Sequence, residues 1–339
     1  MSVTFGLRVP MVGTPQDTGA YAAKVEAAGF DFMYTPDTPL LAGLWRDVYQ
    51  HLLCSALETK TMRLGHGVTN PITRHPVATA GSIITLYEAS GGRADLVVGT
   101  GYSSAYIVGK KAATRTAMRS GTELWRSIFS GAPTELGGHE IELKPSCPDL
   151  PIYLAASGPL ALQLAGEVAD GVLIMVGSAP TSVAWALEQV DIGLERAGRA
   201  RADIRCMLVA TTCVDDDLDR AIDRMRPCVA GLCRHGHAVD LFKRAGLDLP
   251  TRPVETVDPY PDLGHAVDWE EAKRVSQWIP DDAVVAMMPV GPAADVAAHA
   301  QSLIDLGIDA IWWRDEGTWA RPDALMKALS TDVLPRLRG

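Results

Sequence analysis

The chain of 339 residues lacks the features that would place it in a membrane or outside the cell. No apolar run approaches the ~20 residues that a membrane-spanning helix needs. The first residues, Met-Ser-Val-Thr-Phe-Gly, lack the basic start and long apolar core of a signal peptide. Six cysteines are too few and too scattered for a disulfide scaffold. We therefore expect a cytoplasmic protein with reduced thiols.

Positive charge is also scarce. The chain has 31 Lys and Arg against 41 Asp and Glu, which gives a formal net charge of −10. Surfaces that bind nucleic acid or anionic membranes are usually basic, so neither is expected as the main partner. Small anionic ligands are compatible with this balance, because they respond to a local patch rather than to the total charge. We expect a small or modest-sized organic substrate.

What the chain does contain is a regular alternation of short apolar runs and helical patterns, which is typical of a parallel sheet built from βαβ units. The absence of a change in composition along the chain indicates one domain over 1–339. Eight strand–helix pairs in one order predict a (β/α)8 TIM barrel rather than a doubly wound sheet. The predicted strands are 3–8, 31–35, 61–68, 94–99, 151–155, 171–175, 204–214 and 309–313.

The connection between the seventh and eighth predicted strands is longer than a barrel requires. About ninety-five residues separate Val214 from Asp309, whereas a helix and two loops need ~20–30. Insertions in barrels usually lie at the C-terminal face and shape the substrate pocket. We therefore predict an insertion at about 227–280 over the active-site face. A decoration at a dimer interface is the alternative.

The predicted insertion contains a cluster of possible metal ligands: Cys228, Cys233, His235 and His237. Structural zinc sites usually combine two ligand pairs that are well separated in sequence, and no second pair is set apart here. Buried free cysteine mostly behaves as a small apolar side chain. We interpret the cluster as packing and expect no metal.

Candidate functional residues follow the C-terminal ends of six predicted strands. In a parallel barrel these ends meet at one rim, which is where barrel enzymes place their active sites. The residues at these ends are Arg8, Asp37 and the segments 67–70, 99–104, 155–159 and 176–177.

The segment 63–76 reads as a strand ending at Gly67 and Val68, a polar turn, and a helix opened by Pro76. Glycine at a strand end permits close approaches, so that backbone can lie against a flat ligand. Proline at the first turn of a helix sacrifices no hydrogen bond, because that N–H has no intrahelical partner. This pattern predicts one wall of a cofactor site.

The segment Ala155-Ala-Ser-Gly-Pro159 joins a strand to a helix through a small, amide-rich turn. Free N–H groups and the positive end of a helix bind anions such as phosphate. Gly177 adds another unobstructed amide. Each glycine taken alone is also compatible with an ordinary tight turn.

Four polar residues at the rim are candidates for acid–base catalysis or for binding a ligand. A partly buried carboxylate at Asp37 would have a raised pKa and could serve as an acid or as a hydrogen-bond anchor, although a helix or turn cap is the alternative. Arg8 suits an anionic substrate group or pairing with Asp37. Thr100 could hydrogen-bond a ring or hydroxyl, and Tyr102 could stack or donate a hydrogen bond.

Taken in order, these motifs resemble the bacterial luciferase-like superfamily. Within it, the likeness is to the methylenetetrahydromethanopterin reductase branch, whose members commonly use the deazaflavin coenzyme F420. The likeness runs from the first strand to about Gly177, is weak through the insertion, and resumes at 289–313. The motifs that carry it are Gly67-Val-Thr-Asn-Pro71, Arg74-His-Pro76, Ser90-Gly-Gly-Arg93, Gly99-Thr-Gly101 and Ala155-Ala-Ser-Gly-Pro159.

The resemblance implies a TIM barrel, usually a homodimer, with a flavin-type ring at its C-terminal mouth. It also implies a non-prolyl cis peptide at Gly67-Val68 behind the ring, and contacts from Asp37 and Thr100 to the cofactor. The phosphate-bearing arm would be cradled by Ala155, Ala156, Gly158, Val176 and Gly177. We extend this cofactor site to the adjoining Thr69, Asn70, Gly101 and Ser157.

Two positions depart from the family pattern. Reductases of this family often carry an acidic residue at the end of the first strand and another directly after Gly-Thr-Gly, where this chain has Arg8 and Tyr102. An exchange of acid for base inverts the charge offered to the substrate. We therefore interpret the cofactor half of the site as retained and the substrate half as rebuilt.

Together these features predict an F420-dependent oxidoreductase that transfers a hydride between the deazaflavin and a C=C, C=N or C=O group. An FMN-dependent monooxygenase is the alternative, and a catalytically inactive ligand-binding barrel is the third possibility. The predicted catalytic residues are Asp37, Tyr102 and Arg8. The predicted substrate pocket contains Arg8, Trp45, Tyr102 and Trp313.

Overall fold

A computed structural model describes residues 2–38, 46–142, 147–233, 238–316 and 319–338. Its strands are β1 (Thr4–Arg8), β2 (Phe32–Thr35), β3 (Arg63–His66), β4 (Ala94–Val98), β5 (Thr134–Leu136), β6 (His139–Ile141), β7 (Ile152–Ala156), β8 (Gly171–Ile174), β9 (Arg205–Thr211), β10 (Cys213–Val214), β11 (Val290–Gly291) and β12 (Ala310–Arg314).

Helices follow most of these strands, and none of the described helices is both long and apolar enough to cross a membrane. They are α1 (Pro15–Ala27), α2 (Val48–Glu58), α3 (Pro76–Ala89), α4 (Tyr102–Ile107), α5 (Arg115–Ser130), α6 (Pro159–Val168), α7 (Pro180–Ala197), α8 (Leu218–Leu232), α9 (Ala238–Arg244), α10 (Trp269–Val275), α11 (Asp281–Met287), α12 (Ala293–Asp305), α13 (Asp323–Ala328) and α14 (Leu334–Arg338).

Eight parallel strands close into a barrel in the order β1-β12-β9-β8-β7-β4-β3-β2. The barrel closes where β1 pairs with β12, with Leu7 opposite Trp313. The expected TIM barrel is therefore confirmed. The two antiparallel strands β5 and β6 form a separate hairpin after α5, and this hairpin was not predicted.

Large and small side chains alternate across the barrel interior, because aromatic rings need glycines opposite them. A Cβ atom on Gly6 would lie 2.1 Å from the ring of Phe32, and one on Gly171 would lie 2.2 Å from the ring of Tyr153. The interior cluster also contains Tyr34 and Trp312. This packed floor closes the barrel beneath its C-terminal mouth.

The expected long insertion between the seventh and eighth barrel strands is present. After β9, the chain forms α8, α9, α10 and α11 before α12 leads back to β12. The short strands β10 and β11 pair in parallel at the two ends of this insertion, with Cys213 opposite Val290. Because the two ends are held together, the helices between them are anchored to the rim of the barrel.

Candidate functional site

A cavity of about 320 Å³ opens at the C-terminal ends of the barrel strands. Its lining combines residues from the strand ends with residues from the insertion. The strand ends contribute Arg8, Gly67, Gly99, Ala155, Met175 and Arg314, and the insertion contributes Cys228, Gly231, Asp262 and His265. The insertion therefore forms part of the wall of this cavity.

The wall at the end of β3 is built from backbone. The peptide bond between Gly67 and Val68 is cis, as the resemblance implied, and both residues line the cavity. Gly67 lies directly against the indole of Trp312, since a Cβ atom there would be 2.4 Å from its ring. Gly99 lies against Val68, since a Cβ atom there would be 2.6 Å from the Val68 side chain. These contacts leave no room for larger residues at either glycine.

Asn70, the single asparagine of the chain, is buried and supports the rim from behind. Its Oδ1 accepts hydrogen bonds from the N–H groups of Ile72 and Thr73, both at 2.9 Å. Its Nδ2 donates to the hydroxyl of Ser104 at 2.9 Å. The side chain of Asn70 thus ties the turn after β3 to helix α4, and it does not belong to the described lining of the cavity.

The segment after β4 lies at the mouth of the cavity. Thr100, Gly101 and Tyr102 all line it, and the Tyr102 side chain is 54% exposed. Gly101 has a φ of 75°, and a Cβ atom there would lie 2.6 Å from Cγ of Asn70. Glycine is therefore required at this position for both conformation and space.

The turn after β7 joins the cavity to the start of α6. Ala155, Ala156 and Ser157 line the cavity. Gly158 is the N-cap of α6, and no side chain caps this helix end. Uncapped N–H groups and the positive end of the helix dipole attract anions. This end of the cavity can therefore hold a phosphate group.

In two places the structure brings the neighbour of a predicted residue to the cavity. Trp313 is fully buried in the core outside the barrel, whereas Trp312 belongs to the interior cluster and lines the cavity. Val176 is likewise fully buried, and Met175 lines the cavity. For the two tryptophans of β12 this follows because successive residues of a strand face opposite sides, whereas Met175 and Val176 come just after β8. Trp312 and Met175 therefore replace Trp313 and Val176 in the candidate site.

Gly177 also lies away from the cavity lining. Its φ is 75°, and a Cβ atom there would be 2.6 Å from the Met287 methyl group. The neighbouring Ser178 donates from both its N–H and its hydroxyl to the carbonyl of Met287. Gly177 therefore allows the chain after β8 to pack closely against α11.

Asp37 lies beside the cavity. Its neighbours Pro36 and Thr38 line the cavity, whereas its own carboxylate is buried and accepts a hydrogen bond from the Thr69 hydroxyl at 2.6 Å. Burial raises the pKa of Asp37, and the bond from Thr69 opposes that shift. The Thr38 hydroxyl is buried and has no hydrogen-bond partner in the described part of the chain. Thr38 is thus the residue here that can bond a ligand.

Arg8 pairs with a residue near the other end of the chain. Its guanidinium donates to Asp315 at 3.2 Å and lies 5.3 Å from the ring centre of Trp319. This ion pair with Asp315 stands in place of the pairing of Arg8 with Asp37 that the sequence suggested. Burial lowers the pKa of Arg8 to about 10; Asp315 opposes this shift, and the nearby Arg314 adds to it. Arg8 is therefore still a cation at neutral pH.

A histidine–aspartate pair in the insertion lines the same cavity and was not predicted. Nδ1 of His265 lies 3.0 Å from Oδ1 of Asp262, which also accepts the N–H of Gly264 at 2.9 Å. The ring of His265 stacks on Trp319 at 6.1 Å. Burial lowers the pKa of His265, and Asp262 opposes that shift. A neutral imidazole held by a carboxylate is suited to proton transfer.

Three residues considered from the sequence lie outside the described residues. These are Trp45 of the predicted substrate pocket, and His235 and His237 of the cysteine–histidine cluster. Cys228, from the same cluster, lines the cavity.

The fold and site together define a TIM barrel with a cavity at its C-terminal mouth and a cis peptide in the cavity wall. The model of the luciferase-like monooxygenase family matches residues 3–310, and the chain belongs to this family.

Individual relatives are reductases and dehydrogenases. The chain is 36% identical to the 5,10-methylenetetrahydromethanopterin reductase of Archaeoglobus fulgidus over 67% of this chain and 69% of that protein. It is 30% identical to the enzyme of the same name from Methanolobus tindarius, over 91% of this chain and 93% of that protein. An F420-dependent glucose-6-phosphate dehydrogenase from Beutenbergia cavernae is 26% identical, over 96% of this chain and 94% of that protein.

A solved structure supports the same fold. The coenzyme F420 dependent tetrahydromethanopterin reductase from Methanopyrus kandleri superimposes with a TM-score of 0.81 at 23% identity. The match covers 99% of this chain and 100% of that one.

Proposed function

We propose that this protein is an F420-dependent oxidoreductase that transfers a hydride between the deazaflavin and a C=C, C=N or C=O group of an organic substrate. Relatives matched over nearly the whole chain are F420-dependent dehydrogenases. The observation that carries the proposal is the cavity whose wall contains the cis peptide between Gly67 and Val68 and which ends at the uncapped start of α6.

The residues around the cavity fit such a cofactor in two respects. The Thr38 hydroxyl is buried and has no partner within the described residues, so it is available to a polar edge of a ring. Ser157 and Ala161 bring the N-terminus of α6 to the cavity, where its N–H groups suit a phosphate. When bound, F420 supplies or accepts the hydride.

The remaining residues have separate tasks in this proposal. Gly67 and Val68 present backbone to the ring, and Asp37 positions the turn after β3 through its bond with Thr69. His265, held by Asp262, accepts the substrate's proton during oxidation and returns it during reduction. Tyr102 lies at the mouth of the cavity and contacts the substrate.

The assignment of the phosphate site can be tested at Gly158. Gly158→Asp should weaken F420 binding at least about tenfold, because its carboxylate repels the phosphate and occupies the helix end. Gly158→Asn is the matched neutral control and should weaken binding less. Gly158 has a φ of −90°, which any residue can adopt, and both Asp and Asn are good N-caps. Both variants should therefore keep the melting temperature of the wild type.

Fluorescence titration with F420 measures the two affinities. Equal affinity for F420 in the Asp and Asn variants would remove the phosphate from the start of α6. Failure of the wild-type protein to bind F420 would contradict the proposed function itself.

Three further features stay predictions under this proposal. The resemblance implies a homodimer, and the composition of the chain favours a cytoplasmic location. The substrate is a small or modest-sized organic molecule, with no nucleic acid or membrane as a partner.

A further inference from the structure

We propose that the substrate is an organic acid, and that its carboxylate or phosphate group is bound by Arg314 with Arg8 as the second cation. This inference rests on the proposed function, in which F420 occupies the part of the cavity next to Gly67 and α6. It concerns the part of the wall formed by β1, β12 and the insertion.

The two arginines are neighbours because of the strand register. Leu7 lies opposite Trp313 where β1 pairs with β12, so Arg8 and Arg314 occupy the next position on each strand. Both lie at the C-terminal ends of their strands and line the cavity. The backbone at Arg314 is fixed on its other side, because its carbonyl accepts the N–H of Thr212 at 2.8 Å.

Arg314 has no ion-pair partner within the described residues, whereas its neighbour Arg8 pairs with Asp315. The Nε atom of Arg314 is buried and has no hydrogen-bond partner among the residues that the structure describes. A buried donor without an acceptor is unfavourable, and a bound anion would remove this penalty.

The nearby carboxylates are already engaged. Asp315 accepts a bond from Arg8, and Asp262 accepts bonds from Gly264 and His265. The described lining of the cavity therefore carries two guanidinium groups and one carboxylate, that of Asp262. Because Asp315 neutralises Arg8, Arg314 is the cation of this lining that no carboxylate pairs with in the described part of the chain.

The shape of the wall indicates an acid with an apolar body. Trp312 and Trp319 both line the cavity, and the ring of Trp319 lies against Arg8. Trp312 also has a buried Nε1 without a partner in the described part of the chain. A guanidinium presents paired N–H donors that match the two oxygens of a carboxylate or phosphate. The aromatic rings would hold the carbon skeleton that carries the reducible group.

Calorimetric titration of the F420-loaded protein tests this inference with three probes: benzoate, phenyl phosphate and the uncharged benzamide. We expect benzoate or phenyl phosphate to bind at least about tenfold more tightly than benzamide, because charged hydrogen bonds are the stronger ones. Whichever of the two acids binds more tightly identifies the acid group that the site prefers.

Variants then locate the anion site. Arg314→Gln should weaken binding of the preferred acid at least about tenfold and leave benzamide binding unchanged. Arg314→Lys keeps the charge but loses the paired donors. Its affinity for the acid should therefore lie between those of the wild type and of Arg314→Gln. Arg115→Gln, at an exposed position on α5, controls for the change in net charge and should match the wild type.

Two outcomes would overturn the inference: equal or absent binding of all three probes to the wild-type protein, or unchanged binding of the acid in a folded Arg314→Gln variant. The same proteins are titrated with F420 in parallel. Loss of F420 binding by the wild type would instead contradict the proposed function, and repeating the acid titrations on the cofactor-free protein would still decide the anion site.

Discussion

Replacing His265 with asparagine is expected to lower turnover by about 10²–10⁴-fold, the usual contribution of a general acid–base group. The amide of asparagine can donate to Asp262 much as Nδ1 of His265 does, so the local structure should be retained. It cannot exchange a proton with the substrate. Affinity for F420 should stay at the wild-type value, because the substitution affects proton transfer and not cofactor binding.

The pH profile provides a second readout for His265. In the direction that oxidises the substrate, the imidazole must be neutral to accept a proton. Since burial lowers the pKa of His265, the wild-type enzyme should lose activity only as the pH falls below the ordinary imidazole range. His139→Asn, at an exposed position on β6, is the matched control and should retain full turnover. A His265→Asn variant with wild-type turnover and pH profile would remove this residue from the mechanism.

Replacing Asn70 with alanine is expected to reduce the free energy of unfolding by about 2–4 kcal/mol. The variant leaves the N–H groups of Ile72 and Thr73 without their acceptor and Ser104 without its donor. Each buried polar group left unpaired costs about 1–3 kcal/mol. Because Asn70 also packs against Gly101, the rim of the cavity should loosen, and F420 affinity should fall with stability.

Urea unfolding followed by circular dichroism measures this change. Ser104→Ala is the comparison, because it removes one partner of Asn70 and keeps both bonds to the turn. It should reduce stability by about 1 kcal/mol, the value of one ordinary hydrogen bond. If Asn70→Ala were no more destabilising than Ser104→Ala, the assignment of Asn70 as the anchor of the rim would be wrong.

The fold could be predicted from the sequence because its signals are local. Each barrel strand is a short apolar run, and most helices end in glycine or begin after a capping residue, such as Thr14 before α1. Helix α4 and the β5–β6 hairpin were not predicted, since elements of six and three residues are too short to show a period.

The sequence could not predict which side chains at the rim face the interior of the barrel. Strands of a parallel barrel are buried on both faces, so they read as continuous apolar runs without alternation. Nothing in the run Ala310-Ile-Trp-Trp-Arg314 indicates which tryptophan faces inward. The interior position of Trp312 follows only from the register of β12 with its neighbours.

Partners far apart in sequence were also beyond prediction. Arg8 and Asp315 are 307 residues apart, and their contact requires the closed barrel. His265 and Asp262 lie in an insertion without a clear periodic pattern, and their place at the cavity depends on how that insertion packs on the rim. An aspartate three residues before a histidine is a weak signal that could have drawn attention to this pair.

The most direct test of the central claim is a pair of equilibrium titrations of the purified protein, one with F420 and one with FMN, followed by fluorescence. A deazaflavin lacks the ring nitrogen that supports ordinary oxygen chemistry, so the choice of cofactor separates hydride transfer from oxygen activation. We predict tight binding of F420 and weak binding of FMN. Tight binding of FMN with weak binding of F420 would contradict the account and indicate an oxygen-consuming monooxygenase.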